Sequence, residues 1–552
     1  MKQSFFALLL LSSAAFLPAQ QSPSSRQSCT LLRRVIIPAS AIALPTHGAR
    51  VTSAKLSHSG SIEFCKLLGE INSIDPAAQP IRFELNLPTQ WNGKALHFGG
   101  GGFDGALSVT NGLHTEDVGI RTAATPLQRG YSTFGSDSGH HHHYLFLPDI
   151  YNELKSSFAL NLEERRNYAH DALKKTHDTA VFLIAQRYGA SPRRMFFIGG
   201  STGGREAYFV TQLYPLDYDG VLGAYAGWNQ VHLDLQFIRI SQAEYRAGSS
   251  SLAGSKKLTR GWLPTSKTRL VITRVMQACD ALDGFRDGII SNPGACHFSL
   301  PSLSCPVGQD HKTCLTPGQL QTLETFNTEQ RTAEPLVHGV QTMPGFNITA
   351  GTDLTGSLGL LKRPFHPPVY LLNSFHYVVG DGVLRFFLTG NPHFNALTFD
   401  TTTGGPYGKE LLPQSIASDA SDADLSRFAQ HGGKFLMLHG TTDATIPTNS
   451  SVEFYAMLQA QMGQQALDRF VRFYLIPGYG HGRGVFNAGF DGLGALDRWV
   501  ETDVPPHDLV VTDNNKAQHS RTRPLCPYPT WPRYISGDPS QSTSFTCSAP
   551  TP

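Results

Sequence analysis

The sequence predicts an α/β fold in which a mostly parallel sheet is flanked by helices and interrupted by a large insertion. Short apolar runs at 195–198, 435–438 and 470–476 each lead into a polar or glycine-containing loop, as buried strands of a parallel sheet do. The first run passes through a sharp glycine turn into a helix-like stretch. The 552-residue chain has 40% hydrophobic residues, enough for a large core and two domains.

The turn after the first run carries a candidate nucleophile. Ser201 lies within the sequence Gly-Gly-Ser-Thr-Gly at 199–203, between the apolar run and the helix-like stretch. A serine hydroxyl is a poor nucleophile until a strained turn lifts it away from the sheet edge, beside a base and free backbone N–H groups. Glycine-rich turns with a serine are common. The serine motif therefore identifies a nucleophile only if the chain also supplies an acid and a base.

Two later loops supply an acid and a base. Asp443 follows the run at 435–438, and His481 follows the run at 470–476 on a glycine-rich loop. Taken singly, an aspartate after a strand is often a helix cap, and a lone histidine is usually an ordinary polar residue. The order Ser, Asp, His, each at a strand end, is that of an α/β-hydrolase triad. In that scheme His481 takes the proton of Ser201 and Asp443 orients the imidazole.

An oxyanion formed at Ser201 needs two N–H donors. Thr202, the residue after the nucleophile, is one candidate. The second is expected in the glycine run 99–102, which follows the apolar stretch 95–98, with Gly100 and Gly101 as the candidates. A phosphate-binding loop is the alternative, but it calls for a different glycine spacing with basic help, and Asp104 brings the wrong charge.

These residues and several further segments resemble the tannase and feruloyl esterase family of α/β-hydrolases. The matching segments are 87–88, 91–93, 99–105, 137–140, 199–205, 214–215, 218–220, 279–288, 314–317 and 477–482. The resemblance implies a secreted serine esterase that acts on esters of aromatic carboxylic acids, with the triad Ser201, Asp443 and His481. Family members usually carry a disulfide between cysteines beside the serine and the histidine, whereas this chain has Gly200 and Gly482 there.

The N-terminus predicts export. Residues 1–20 combine a basic start, an apolar stretch and small residues suited to cleavage, which is typical of a signal peptide too short to span a bilayer. No other segment approaches about 18 uninterrupted apolar residues. We therefore expect a secreted or periplasmic protein with no membrane anchor.

Export favours disulfides for the eight cysteines over a zinc site, since no C-x-x-C pattern occurs. Short-range pairing predicts Cys279 with Cys296, Cys305 with Cys314, and Cys526 with Cys547. Cys29 and Cys65 are left over, with no short-range pairing predicted for either. The first two pairings agree with the family.

A calcium site is predicted between the first paired cysteines. Asp280, Asp283 and Asp287 are spaced three and four apart, and Gly284 and Gly288 permit a tight curl, so their hard oxygen ligands could point to one centre. Two ordinary Asp-Gly turns are the alternative. The resemblance implies a structural Ca²⁺ held by these carboxylates and by the backbone carbonyls of Phe285 and Ile289.

The predicted insertion follows from chain length. Ser201 and Asp443 are 242 residues apart, far more than two or three βα units of about 30 residues each require. We place a lid domain at 230–427, carrying the calcium segment, and the hydrolase core at 21–229 and 428–552. Such a lid would exclude water and shape a pocket for an aromatic ring.

Composition limits the partners. Lys plus Arg number 45 against 43 for Asp plus Glu, so no strong field favours nucleic acid or an anionic membrane. The resemblance implies an ester hydrolase for small esters of hydroxybenzoic or hydroxycinnamic acids, free or linked to plant polymers. The alternatives are another serine hydrolase, such as a terephthalate mono-ester hydrolase, a lipase or a peptidase, or a non-catalytic binding protein. Oligomeric state is left open.

Overall fold

The computed structural model describes residues 25–107, 124–141, 155–246, 261–357, 373–515 and 520–550. The predicted signal segment at 1–20 lies outside these residues. Within them, a ten-stranded sheet forms the centre of the protein. Its strands, in spatial order, are β1 (Ile36–Ile37), β2 (Ala49–Ser59), β3 (Ile62–Ile71), β4 (Ile81–Pro88), β6 (Ser132–Ser136), β5 (Lys94–Phe98), β7 (Arg194–Gly200), β8 (Gly220–Ala224), β11 (Lys434–Gly440) and β12 (Val471–Ile476).

The sheet has an antiparallel part and a parallel part. Strands β1 to β4 pair antiparallel with one another, and β4 pairs antiparallel with β6. From β6 onward, through β5, β7, β8, β11 and β12, every pairing is parallel. The carboxyl ends of these six strands therefore meet at one edge, where loops can bring distant residues together.

The helices flank this sheet or lie in the connections. Those described are α1 (Ser25–Leu31), α2 (Leu162–Arg166), α3 (Ala172–Tyr188), α4 (Thr202–Leu213), α5 (Gln230–Arg246), α6 (Thr265–Cys279), α7 (Pro317–Asn327), α8 (Phe375–Gly382), α9 (Gly408–Ser418), α10 (Ser426–Gln430), α11 (Thr448–Met462), α12 (Gln464–Phe470) and α13 (Gly492–Thr502). None of them is long and apolar enough to cross a membrane.

The parallel strands read as continuous apolar runs because both of their faces are buried. On β7, Phe197 packs in a cluster with residues of α3, α4 and α11, whereas its neighbours Phe196 and Ile198 pack with residues of α13. On β11, likewise, Met437 packs in the first of these clusters and its neighbour Leu438 packs in the second. The sequence pattern therefore predicts these strands correctly.

A long insertion separates two neighbouring strands. The chain leaves the sheet at the end of β8 and re-enters it at β11, which pairs parallel with β8. Helices α5 to α10 lie between them. This segment has a hydrophobic cluster of its own that includes Phe237 on α5, Val275 on α6 and Phe326 on α7. That the segment acts as a lid stays a prediction.

Small two- and three-stranded sheets lie outside the central sheet. They are formed by β9 (Gln330–Arg331) with β10 (Thr342–Met343), by β13 (Ala488–Gly489) with β14 (Val510–Asp513) and β15 (Thr522–Pro524), and by β16 (Trp531–Tyr534) with β17 (Phe545–Ser548).

Four disulfides link the cysteines in pairs. The three short-range pairs are those predicted: Cys279–Cys296, Cys305–Cys314 and Cys526–Cys547. The fourth, Cys29–Cys65, spans a sequence separation of 36 residues and ties α1 to β3.

Candidate active site

Ser201 occupies a sharp turn between β7 and α4. Its backbone has φ 61° and ψ −119°, a conformation that non-glycine residues rarely adopt and that tends to occur at functional sites. The turn is held by hydrogen bonds from Ser201 N–H to the Ala224 carbonyl at 3.1 Å and from Gly227 N–H to the Ser201 carbonyl at 3.3 Å. The predicted strand, strained turn and helix are all present.

Asp443 and His481 are in direct contact. Nδ1 of His481 lies 2.8 Å from Oδ2 of Asp443. The other carboxylate oxygen accepts N–H groups of Thr445 and Ile446 at 2.7 and 3.0 Å. The Asp443 side chain is fully buried, whereas that of His481 is 25% exposed. An orienting carboxylate is thus buried behind an imidazole that remains accessible, as a triad requires.

A second histidine, which the sequence reasoning missed, also contacts Asp443. Nε2 of the fully buried His439 lies 3.3 Å from the carboxylate, and its Nδ1 lies 2.8 Å from Oγ of Ser451. Burial alone would raise the pKa of Asp443, but the charge of His481 and the hydrogen bonds from both histidines hold that pKa well below its usual range. Asp443 is therefore ionised. One feature of the sequence could have identified His439 as a partner of Asp443, namely its position four residues before that aspartate.

The glycine loop after β5 packs directly on the start of α4. Gly203 N–H donates to the Gly100 carbonyl at 3.1 Å, and a Cβ on Gly203 would lie 2.7 Å from that same oxygen. Oγ1 of Thr202 donates to the Gly102 carbonyl at 2.5 Å. Glycine at 203 is thus required by close backbone approach, and the loop lies beside the candidate nucleophile.

The two glycines proposed as oxyanion donors differ. Gly100 N–H donates to Oε2 of Glu206 at 2.8 Å, so it already has an acceptor within the protein and holds the loop rather than pointing to a substrate. Within the described part of the chain, the N–H groups of Gly101 and Thr202 have no protein acceptor. A sequence pattern could not distinguish these glycines, because it does not determine the direction in which each N–H points.

A pair of buried acids supports the glycine loop. Asp104 and Glu206 are both about 2% exposed, and Asp104 also accepts the Ser138 hydroxyl at 2.9 Å. Burial raises the pKa of Asp104 to about 6. Burial, together with the charge of Asp104 and a hydrogen bond between the two carboxyls, raises the pKa of Glu206 well above its usual range. Burial therefore favours the protonated form of both carboxyl groups.

Gly200 and Gly482 stand beside the candidate serine and histidine, where a disulfide would need cysteines. An ideal Cβ on Gly200 would lie 2.7 Å from the nearest ring atom of Tyr225, and the rings of Tyr225 and His481 have centroids 4.5 Å apart. Gly482 has φ 74°, which favours glycine. An aromatic ring thus fills the space beside Gly200 and contacts the imidazole.

The predicted calcium loop has donors suited to the ion. Gly284 and Gly288 have φ 100° and 81°, which permits tight turns in the segment that carries Asp280, Asp283 and Asp287. Burial, with a contribution from the charge of Asp287, raises the pKa of Asp283 to about 6. Carboxylate and carbonyl oxygens are the ligands that Ca²⁺ prefers. The donor chemistry fits the ion, and the site stays a proposal.

The loop carboxylates also have partners within the protein. Asp280 accepts Gly288 N–H at 3.1 Å, and Asp283 accepts Ser291 N–H at 3.0 Å. Asp287 pairs with the guanidinium of Arg523 on β15. A different acidic cluster of the described residues, His177 with Asp178 and Asp217, brings its ligand atoms within 4.8 Å of one another. Lys174 already neutralises that cluster through contacts of 2.9 and 2.7 Å.

Comparison with known proteins decides the family. The model of the family described as tannase and feruloyl esterase matches residues 65–548. The chain belongs to this family. It is 35% identical over 555 aligned positions to an uncharacterized esterase of Agrobacterium fabrum, covering 97% of this chain and 96% of that protein. A mono(2-hydroxyethyl) terephthalate hydrolase of Piscinibacter sakaiensis is 26% identical, over 88% of this chain and 85% of the relative.

Solved structures agree with the assignment of the fold. Feruloyl esterase B from Aspergillus oryzae superposes with a TM-score of 0.75 at 22% identity, covering 95% of this chain and 100% of that structure. The chain therefore has the α/β-hydrolase fold that its sequence predicts. As a member of the tannase and feruloyl esterase family, it is a carboxylic ester hydrolase.

Proposed function

We propose that this esterase cleaves esters of aromatic carboxylic acids through an acyl-enzyme, with Ser201 as nucleophile, His481 as general base and Asp443 as orienting carboxylate. The observation that carries the proposal is the 2.8 Å contact between His481 Nδ1 and Asp443. That contact fixes the tautomer in which Nε2 is unprotonated and can accept a proton. The strained backbone of Ser201 supports its role as the nucleophile.

In the first step Oγ of Ser201 attacks the ester carbonyl carbon while Nε2 of His481 takes the hydroxyl proton. The carbonyl oxygen becomes an oxyanion, for which we propose the N–H groups of Gly101 and Thr202 as donors. When the tetrahedral intermediate collapses, the bond to the alkoxy oxygen breaks. His481 returns its proton to the leaving alcohol, and the acid remains esterified to Ser201.

In the second step water attacks the acyl carbonyl carbon. His481 accepts a proton from the water and passes it to Oγ of Ser201 as the acyl bond breaks, which releases the carboxylic acid and restores the enzyme. Ionised Asp443 stabilises the imidazolium in both steps. The depressed pKa of this carboxyl keeps the charge in place at neutral and mildly acidic pH.

The proposed substrate class rests on the relatives. The family is described as tannase and feruloyl esterase, and one relative is a mono(2-hydroxyethyl) terephthalate hydrolase. Tannic, ferulic and terephthalic esters share an aromatic ring in the acid part, joined to the ester carbonyl either directly or through one C=C double bond. We therefore propose that the acid part of the substrate is aromatic, and that the alcohol part varies.

Two further properties are proposed with the function. Export to the periplasm or the medium is supported by the signal-like segment at 1–20 and by the disulfides, which persist in oxidising compartments. A structural Ca²⁺ is proposed for the loop at 280–289. Asp280, Asp283 and Asp287 would hold it with the carbonyls of Phe285 and Ile289, and it would stabilise the inserted segment rather than take part in the reaction.

The test is hydrolysis by the purified protein. Methyl ferulate, methyl gallate and mono(2-hydroxyethyl) terephthalate are compared with p-nitrophenyl palmitate and an aryl amide at matched concentrations. We expect kcat/KM to be highest on at least one of the three aromatic-acid esters. Higher values on the palmitate or the amide would instead indicate a lipase or a peptidase.

Ser201→Ala is the variant that tests the nucleophile. It should lower kcat by about 10³-fold or more. Ser241→Ala is the control, because Ser241 is a buried serine outside the candidate site whose hydroxyl donates to the Phe237 carbonyl on α5. Equal rates for wild type and Ser201→Ala would overturn the mechanism.

A further inference from the structure

We propose that Tyr225 positions the imidazole of His481 for catalysis, and that its ring is the element that holds the histidine loop against the nucleophile turn. This inference rests on the proposed role of His481 as general base. Tyr225 follows β8 directly and is 3% exposed. It is named as a positioning residue because it acts through His481 rather than on the substrate.

The ring contacts are the first argument. The Tyr225 and His481 rings have centroids 4.5 Å apart with an interplanar angle of 51°. The Tyr225 ring also lies 6.3 Å from that of Tyr479 and 6.4 Å from that of His439. The Tyr225 ring therefore lies among the side chains of His439, Tyr479 and His481. Tyr479 and His481 belong to the candidate histidine loop, and His439 lies shortly before the loop that carries Asp443.

The second argument concerns the freedom of the imidazole. Asp443 holds His481 at Nδ1, and a single hydrogen bond leaves the ring able to tilt about that contact. The His481 side chain is 25% exposed, so close packing does not surround it on all sides. The Tyr225 ring, whose centroid lies 4.5 Å from that of the imidazole, limits the tilt from one side.

The third argument is backbone strain. Tyr225 has φ 35°, which is costly for a bulky residue and persists only where the surroundings impose it. Its N–H donates to the Leu438 carbonyl at 2.7 Å, at the end of β11. The residues around it are tied to the nucleophile, because Ala224 accepts the Ser201 N–H and Gly227 donates to the Ser201 carbonyl. One short segment thus connects the nucleophile turn, the end of β11 and the imidazole.

The fourth argument is the glycine at position 200. A Cβ there would lie 2.7, 2.8 and 2.9 Å from ring or hydroxyl atoms of Tyr225, closer than carbon atoms can pack. Gly200 has no positive φ that would itself require glycine. The residue directly before the nucleophile is therefore glycine because the Tyr225 ring needs the space.

The first experiment compares Tyr225→Ala and Tyr225→Phe in the full-length enzyme on an aromatic ester that the wild type hydrolyses. We expect Tyr225→Ala to lower kcat by about 10- to 100-fold, the size of effect that follows a misplacement of about 1 Å, and to change KM less than threefold. Tyr225→Phe keeps the ring, so its kcat should stay within about threefold of wild type.

Two further variants separate positioning from folding. Tyr225→Gly removes the ring and also relieves the strain at φ 35°, so it should fold even if the alanine variant does not. Tyr455→Ala removes another buried tyrosine, which packs on Phe473 and Tyr528 instead. This control should lower the melting temperature but leave kcat within about twofold of wild type below that temperature.

A double-mutant cycle tests the contact with Gly200. Gly200→Ala should lower kcat in the presence of Tyr225, because the new methyl group displaces the ring. In the Tyr225→Ala background the same change should have almost no additional effect. Additive losses in kcat would show that the two positions are independent.

The results separate this inference from the proposed function. If Ser201→Ala abolishes activity while folded Tyr225→Ala and Tyr225→Gly both retain kcat within twofold of wild type, Tyr225 does not position His481 and only this inference fails. If Ser201→Ala retains activity, the proposed mechanism itself fails. An equal loss of kcat in Tyr455→Ala would reduce the effect at Tyr225 to general core packing and overturn the inference.

Discussion

Oε2 of Glu206 accepts the N–H of Gly100 at 2.8 Å. Because Glu206 lies on α4, which begins directly after Ser201, the helix behind the nucleophile also holds the glycine loop that follows β5. Burial raises the pKa of Glu206, and the charge of Asp104, from the end of that loop, raises it further. The position of the loop relative to the nucleophile therefore depends on two carboxyl groups that the proposed reaction does not use.

Removing the carboxyl group of Glu206 should displace the glycine loop that follows β5 and so lower kcat. In Glu206→Ala the partly buried Gly100 N–H loses its acceptor, and we expect kcat to fall about tenfold, since a donor left without its partner costs about 1–3 kcal/mol. Glu206→Gln should stay within about threefold, because the amide can accept from Gly100 and donate to Asp104. Steady-state kinetics on one aromatic ester measure both variants. A kcat for Glu206→Ala equal to that of wild type would show that the contact does not matter for catalysis.

The same carboxyl pair should make stability depend on pH. Burial raises the folded-state pKa of Asp104 from its ordinary value of 3.8 to about 6, and that of Glu206 well above its ordinary value of 4.5. An unfolded chain loses these protons first, so the free energy of unfolding falls as pH rises from about 4 through the folded-state pKa values. Glu206→Gln removes one of the titrations.

Thermal unfolding at pH 5 and pH 8 measures this effect. The decrease in melting temperature between the two values should be smaller in Glu206→Gln than in wild type. Asp443 contributes with the opposite sign, because its pKa is lowered in the fold. The stability it provides is present above about pH 4 and is lost as the pH falls below that value. Identical pH dependence in wild type and Glu206→Gln would contradict a raised pKa of Glu206 in the folded protein.

Asp443→Asn should preserve the fold and abolish most of the activity. An asparagine at this position can donate its amide N–H to His481 and favour the wrong tautomer, which in a serine triad costs about 10⁴-fold in kcat. KM should change little, because the carboxylate is fully buried and does not reach substrate. Asp497→Asn is the control, since Asp497 pairs with Lys94 and Tyr131 instead. Equal losses of kcat in the two variants would argue against a special role for Asp443.

The Cys29–Cys65 disulfide should stabilise the protein more than Cys305–Cys314. The first closes a separation of 36 residues and the second one of 9. In the chain-entropy treatment these loops are worth about 4 and about 2.5 kcal/mol. Replacing each pair by serines and comparing unfolding midpoints in urea measures the difference. A larger loss from the shorter loop would show that local packing, not loop closure, sets the order.

Calcium should raise the melting temperature if the loop at 280–289 binds it. A ligand present at 100 times its Kd stabilises the folded state by about 2.7 kcal/mol. We expect an increase in the presence of CaCl₂ that is reversed by EDTA and is absent in Asp283→Asn. Arg523→Gln should keep the response, because it frees the Asp287 carboxylate with which Arg523 pairs. An equal response to calcium in wild type and Asp283→Asn would place the ion elsewhere.

The sequence by itself determined the features that depend on local order along the chain. The apolar runs that precede Ser201, Asp443 and His481 mark strands of a parallel sheet. The carboxyl ends of such strands meet at one edge. The nucleophile turn and the short-range disulfides could be predicted for the same reason: strand, turn and nearby cysteines are encoded by neighbouring residues.

Only the tertiary structure decided which groups touch across that edge. Gly100 and Gly101 look alike in sequence, yet the Gly100 N–H is used by Glu206. Tyr225 follows a strand with no motif, yet its ring packs between Gly200 and His481. These contacts join residues far apart in sequence, and their directions depend on side-chain packing and backbone dihedral angles that a spacing pattern does not determine.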